Sequence, residues 1–348
     1  MKWVLVGIIG GSLCFSPVAL ATPRLSVSEE VYDFGEVKEG VLVVHNFILS
    51  NVGDSVLTFT QQPKTTCGCT SAPLHKTSLA PGESIALEVR FESTGYGGNQ
   101  VVRYVYVYSD DPEAPQIRLA IQGYVAPHAL YEETAYMLRY RYRLILDVRD
   151  RQAFARGHLL GAVNVPVAEI PGAVSWLPMG TIYVCDAAGE TGFSVAESLR
   201  RQGFWATRVL AGGLAGWTKE LGDYLLVGEI PAAEPVVSPG GVSPSQLAQE
   251  YLIILDFRTP EAFAQEHLAG AIYVGQTGLD AILPHLLPAT AQAPELQPYI
   301  FCVDEGEGVA AEAAQFLQTL GLTRAYALIG GLPQWRIRYG SDFMIKGS

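Results

Sequence analysis

Ile145-Leu146-Asp147-Val148-Arg149 returns 109 residues later as Ile254-Leu255-Asp256-Phe257-Arg258, and this pair of segments decides how most of the 348-residue chain reads. Outward from it, the same offset between 145–165 and 254–274 also matches Ala153, Phe154, Ala155, His158, Leu159, Gly161, Ala162 and Val165, twelve identities in 21 positions. A second block, Gly212-Gly213-Leu214 with Trp217, recurs 118 residues on as Gly330-Gly331-Leu332 with Trp335. Self-similarity of this kind is the mark of a duplicated unit. Within each copy, apolar strands of four to six residues alternate with helical stretches, the pattern of βα units on a parallel sheet. The copies span 130–227 and 242–341. Between them, 228–241 carries Pro231, Pro235 and Pro239 with little apolar periodicity and reads as a linker. Ser243-Pro244-Ser245-Gln246 then supplies a helix cap with proline at the first helical position.

Upstream, 25–125 reads as all-β. Ile85, Leu87, Val89 and Phe91 face one way while Glu88, Arg90 and Glu92 face the other. Asn51-Val52-Gly53-Asp54, Ala80-Pro81-Gly82-Glu83 and Ser109-Asp110-Asp111-Pro112 punctuate the strands as turns. Short strands and turns over such a length predict a β-sandwich. With Asp33-Phe34-Gly35 near its start and Cys67-Gly68-Cys69-Thr70 midway, the segment resembles a bacterial immunoglobulin-like family of unknown function. That resemblance implies a fold and no activity. The fold class expected for the whole is multidomain: an all-β Ig-like sandwich, then two α/β domains with parallel sheets.

Residues 1–21 combine Lys2, an apolar run from Trp3 through Phe15 and the small-x-small sequence Ala19-Leu20-Ala21, so a cleaved signal peptide is expected, with periplasmic or secreted location. No later segment reads as transmembrane: the uncharged run Ile170–Cys185 is shorter than about 18 residues and broken by Pro171 and Pro178. The formal charge of −12 argues against nucleic acid or an anionic membrane surface as partner. Export would leave Cys67, Cys69, Cys185 and Cys302, too few for a disulfide scaffold and placed for chemistry.

Asp-x-Arg closing a strand, Ala-Phe-x-x-x-His-Leu-x-Gly-Ala, an apolar strand ending in cysteine, and Gly-Gly-Leu-x-x-Trp together resemble the rhodanese superfamily over the whole of each repeat. The resemblance implies that Asp147, Arg149 and His158, with Asp256, Arg258 and His267, hold the architecture together. It also implies a nucleophilic cysteine that takes a sulfane sulfur from a small donor such as thiosulfate and passes it to a thiol acceptor. No cofactor is called for. The residues point to the same place independently. Thr181-Ile182-Tyr183-Val184 reads as a buried strand, Cys185 ends it, and a helix follows. A loop between a parallel strand and a helix N-terminus turns backbone N–H groups inward and makes an anion site. The expected cradle is Asp186, Ala187, Ala188, Gly189, Glu190, Thr191 and Gly192, with Cys185 as nucleophile and Cys302 its counterpart.

The sequence departs from the family's usual six-residue loop, Cys-x-x-Gly-x-Arg, because neither copy carries the arginine. Aligning the two cysteines gives an offset of 117, against 118 at Leu199/Leu317 and Gly203/Gly321, which implies one extra residue in the second loop. The loops are also acidic, with Asp186 and Glu190 in the first and Asp304, Glu305 and Glu307 in the second. A carboxylate about 7 Å from a thiolate costs it roughly 2 kcal/mol at an effective dielectric of about 20. A helix N-terminus returns only about 0.3–2 kcal/mol. The sulfur-carrier reading therefore requires Asp186 and Glu190 to face solvent. In that reading the β-sandwich positions the carrier or docks a protein partner; the alternative is a pair of catalytically silent rhodanese folds serving as a binding or scaffold module.

Cys67 and Cys69, two apart on an extended segment, project to one face. Three readings stay open for them: a soft-metal site completed by His75 or His45, a redox or sulfur-relay pair, and a merely structural or oxidised pair.

Overall fold

The computed structural model describes residues 21–236, 240–275, 278–292 and 294–347. All of the expected leader except Ala21, and residues 237–239 of the expected linker, fall outside these. The described chain divides into two compact units. One comprises residues up to Phe34, Val44–Phe91 and Val102–Gln122. The other comprises Gly35–Val43, Glu92–Val101 and everything from Gly123 onward.

The first unit is built on antiparallel pairs of strands, such as Leu25–Val27 against Leu42–Asn51 and Leu57–Thr65 against Asn99–Ser109. Along Ser84–Glu92, Leu87, Val89 and Phe91 are buried while their neighbours are not, the alternation read from the sequence. Phe47, Leu49, Leu57, Leu79, Val107 and Leu119 complete its apolar interior. The turn at Asp111 is held by its buried carboxylate, which accepts from the amides of Leu25 at 2.7 Å and Glu113 at 2.9 Å.

The second unit contains two sheets whose strands all run parallel. In the first repeat the order is Val163–Asn164, Arg143–Asp147, Thr181–Cys185, Thr207–Val209. In the second it is Ala271–Tyr273, Leu252–Asp256, Tyr299–Val303, Ala325–Leu328, and then a strand from elsewhere: Glu132–Glu133, which precedes the first repeat's own helix. Reciprocally, Val242, at the start of the second repeat, bridges to Leu210 of the first. The leading helices follow their strands. Ala135, Leu138 and Tyr142 pack among Ile254, Phe301, Leu332 and Trp335, while Leu247, Ala248 and Tyr251 pack in the cluster of Tyr183, Leu214 and Trp217. The Tyr142 hydroxyl donates to the carbonyl of Ala269, and that of Tyr251 to the carbonyl of Leu160 at 2.8 Å. Both ends of each bond are related by the 109-residue offset, so the repeats exchange their first elements around a pseudo-two-fold axis. No helix among the described residues is long and apolar enough to cross a membrane.

Candidate functional site

The strand Thr181–Cys185 delivers the chain to its loop, and the helix Glu190–Arg201 starts from Gly189, whose φ of 101° is open to glycine and strained for other residues. Asp186 does not face solvent. It is buried, its Oδ1 accepts from the Gly189 amide, and its Oδ2 accepts from the Gly192 amide at 2.8 Å. The second loop repeats this. Buried Asp304 accepts at Oδ1 from the Gly306 amide at 2.8 Å and at Oδ2 from the amides of Gly308 and Ala310, both at 3.0 Å. A helix N-terminus leaves its first amides without intrahelical partners, and here a carboxylate of the chain itself takes them up. In the loop expected to cradle an anion, 186–192, the inward amides of Gly189 and Gly192 are taken by Asp186 itself. Glu190 is exposed, as the carrier reading required, and Asp186 fails that requirement.

Strand pairing corrects the alignment of the loops. Asp147 lies opposite Cys185, while the equivalent Asp256 lies opposite Val303. Cys185 therefore corresponds to Val303, and Cys302 to Val184. Successive strand residues face opposite sides of a sheet, so the two thiols occupy opposite faces and are not counterparts. The offset of 118 already holds at Asp186/Asp304, and the second loop carries no extra residue. Against the family pattern Cys-x-x-Gly-x-Arg, the segment Asp186-Ala187-Ala188-Gly189-Glu190-Thr191 fits with aspartate where cysteine stands and threonine where arginine stands.

Both cysteines are buried in the apolar core. Burial pushes the Cys185 thiol well above its usual range; Asp147 and Asp186 push the same way and Arg149 opposes them. Burial, followed by Asp304, likewise raises Cys302. In both, burial disfavours the thiolate.

The Gly-Gly-Leu blocks acquire a physical reason. Gly213, with φ of 56°, lies so close to the loop that a Cβ there would sit 2.5 Å from Asp186 Oδ1. Gly331 is in the same position, 2.5 Å from the Asp304 carbonyl oxygen. The next amides, of Leu214 and Leu332, donate to the carbonyls of Asp186 and Asp304 at 2.9 and 2.8 Å. The sequence reading missed these aspartates as the occupants of the cradles. Their identity at the 118 offset was the signal, hidden by anchoring the alignment on cysteine.

Arg149 forks onto the Asp147 carboxylate and donates to the Gly157 carbonyl at 2.6 Å, tying the strand end to the next turn. Arg258 does the same to Asp256 and the Glu266 carbonyl. His158 and His267 lie with Nδ1 2.9 Å from the carbonyls of Phe154 and Phe263, each ring stacked on that phenylalanine. All six therefore make architectural contacts. His158, His267 and His285 also line a cleft of about 700 Å³ shared by the repeats, with Phe154, Phe263 and Tyr273.

Cys67 and Cys69 form a disulfide. Their sulfurs are bonded to each other, so they offer no thiolate to a metal. His75 is exposed and His45 stacks on Tyr32 beside Glu29. Among the described residues no group of three or more histidine, cysteine or acidic side chains is arranged to hold a metal ion.

Against known proteins, residues 132–220 and 243–338 match the rhodanese-like domain, and residues 23–124 match the HYDIN/CFA65/VesB-like Ig-like domain. The thiosulfate sulfurtransferase GlpE of Stutzerimonas stutzeri is 32% identical over 91 residues, 26% of this chain and 75% of that protein. The chicken centrosomal protein of 41 kDa is 27% identical over 108 residues, 28% of this chain and 29% of that protein. A thiosulfate sulfurtransferase structure from Pseudomonas aeruginosa superposes with a TM-score of 0.24 at 22% identity, covering 62% of this chain and 42% of the other. The chain thus spans less than a third of the chicken protein and under half of the Pseudomonas one.

Proposed function

Because the chain belongs to the rhodanese-like family, with sulfurtransferases among its relatives, we propose that its two repeats act as a binding module whose sulfur-transfer loops are closed by the chain's own aspartates. The observation that carries this reading is the pair Asp186 and Asp304, each buried and holding the amides that a donor anion or persulfide would need. An incoming anion would have to displace a buried carboxylate, in loops that carry no arginine of their own and no accessible thiolate. The shared cleft offers a surface for a small ligand, and the Ig-like sandwich one for a protein partner. Location outside the cytoplasm is part of the proposal and rests on the leader pattern of residues 1–21.

One observation favours a second reading, an exported persulfide carrier using Cys185. That residue directly precedes the loop and lies opposite Asp147; the carrier reading requires Asp186 to leave the amides and the Cys185 thiol to turn out of the core toward them. Intact-protein mass spectrometry of the purified chain after incubation with thiosulfate or polysulfide separates the two. The binding-module reading expects no gain of sulfur on Cys185 or Cys302, and gain of one reducible sulfur in Asp186→Cys, which restores a thiol to the loop. A reducible gain on Cys185 of the natural chain, absent in Cys185→Ser, would overturn it in favour of the carrier.

A further inference from the structure

The Cys67–Cys69 disulfide lies in the Ig-like unit, outside the rhodanese-like repeats. The segment is held at both ends. Thr66 and Tyr104 exchange two hydrogen bonds of 3.2 Å, the Cys67 carbonyl accepts from the Thr65 hydroxyl at 3.0 Å and the Thr70 amide at 3.3 Å, and Thr70 pairs with Phe91. On this frame the two half-buried cysteines are joined across a single residue. Gly68 between them is exposed, with nothing within 4 Å of where a Cβ would point, so another chain can approach. Arg103, on the neighbouring strand Asn99–Ser109, donates Nε to Cys69 Sγ at 3.3 Å. The Thr70 hydroxyl lies 3.5 Å from Cys67 Sγ and 3.8 Å from Cys69 Sγ.

A bond across so short a segment closes almost no chain, so it removes little entropy from the unfolded state and makes a poor staple. Its asymmetry points elsewhere. A guanidinium on one sulfur of a disulfide stabilises that sulfur as a thiolate when the bond breaks, which makes it the better leaving group.

We propose that Cys67–Cys69 is a thiol–disulfide exchange site that accepts electrons from a dithiol on a partner protein, with Cys67 Sγ the atom attacked and Cys69 the leaving thiolate held by Arg103. A partner thiol, its proton lost to solvent, attacks Cys67 Sγ; the sulfur–sulfur bond breaks and its electron pair passes to Cys69 Sγ. The partner's second thiolate then attacks its own sulfur in the mixed disulfide and expels Cys67 as a thiolate. The partner dithiol is oxidised to a disulfide by two electrons, the Cys67–Cys69 pair is reduced by the same two, and solvent protons complete any thiol formed. A disulfide oxidant, such as oxidised glutathione, reverses the exchange. The site rests on the sandwich alone, so it is independent of whether the rhodanese-like loops transfer sulfur.

The test uses the full chain with two probes: reduced thioredoxin, and a thioredoxin variant retaining only its attacking cysteine. Acid quenching, alkylation and peptide mapping follow. The expected results are reduction of Cys67–Cys69 in step with oxidation of the first probe, and a mixed disulfide with the second at Cys67, not Cys69. Arg103→Gln should slow exchange by about tenfold, and Arg103→Lys should restore most of the rate. A disulfide that stays oxidised in excess dithiol would overturn the proposal, as would a mixed disulfide divided equally between the cysteines. If Arg103→Gln fails to fold, the site of the mixed disulfide in the natural chain decides alone.

Discussion

In the first repeat Asp186 holds two backbone amides and is followed by Ala187 and Ala188; in the second, Asp304 holds three, and Glu305 beside it bridges Arg258 and Arg336 at 3.1 Å each. Those two arginines draw Glu305 below the usual carboxylate range against the opposing effect of its burial. The cysteines, by contrast, stand one residue out of register. What the duplication kept is the group that answers the loop's electrostatics, and what it let drift is the thiol. A helix N-terminus with inward amides needs a negative partner in every copy, whereas a small apolar side chain at a strand end is satisfied equally by cysteine or valine.

The largest effects should be common to both repeats. Trp217 and Trp335 are fully buried, and each indole N–H donates to a backbone carbonyl, Tyr224 at 2.7 Å and Asp342 at 2.9 Å. Trp217→Ala and Trp335→Ala should each cost about 3–5 kcal/mol in denaturant unfolding. A clear inequality between them would show that the repeats do not share one core design.

The loops should separate the repeats. Asp186→Ala and Asp304→Ala leave buried amides without a partner, at about 1–3 kcal/mol. Asp304→Ala is expected to cost more, since three amides are orphaned in place of two. Equal costs in the same unfolding assay would mean that water replaces the carboxylate and that the lock is weaker than its geometry implies.

The smallest effect is in pH. Burial depresses both His158 and His267, while the carbonyls of Phe154 and Phe263 pull the other way. A histidine whose folded pKa lies below its unfolded value of about 6.5 favours the fold when neutral, so stability is full above that pH and declines as pH falls below it. Melting temperature should therefore drop between about pH 6.5 and 5, and His158→Gln should reduce the slope. An unchanged slope in that variant would assign the titration to other groups.

The duplication, the parallel βα units, the all-β upstream unit and the architectural Asp-Arg-His sets were legible because each is written in local pattern: offset identity, period and strand-end chemistry. The loop's place between strand and helix was legible for the same reason. Its occupant was not, because the direction of the Asp186 side chain depends on Gly213 lying against it from another part of the chain. Nor was the disulfide singled out, since the spacing of Cys67 and Cys69 is compatible with an oxidised pair, a metal site and a relay.

By itself, the sequence determined that a βα unit was duplicated and where its strands run, since these follow from periodicity and identity along the chain. Only the tertiary structure decided that each repeat hands its first extended segment and helix to the other, that Cys185 corresponds to Val303, and that Asp186 and Asp304 take up the loop amides. Strand pairing joins residues far apart in the chain, and a shift of one residue turns a side chain to the opposite face. Register is therefore settled by what packs on each side.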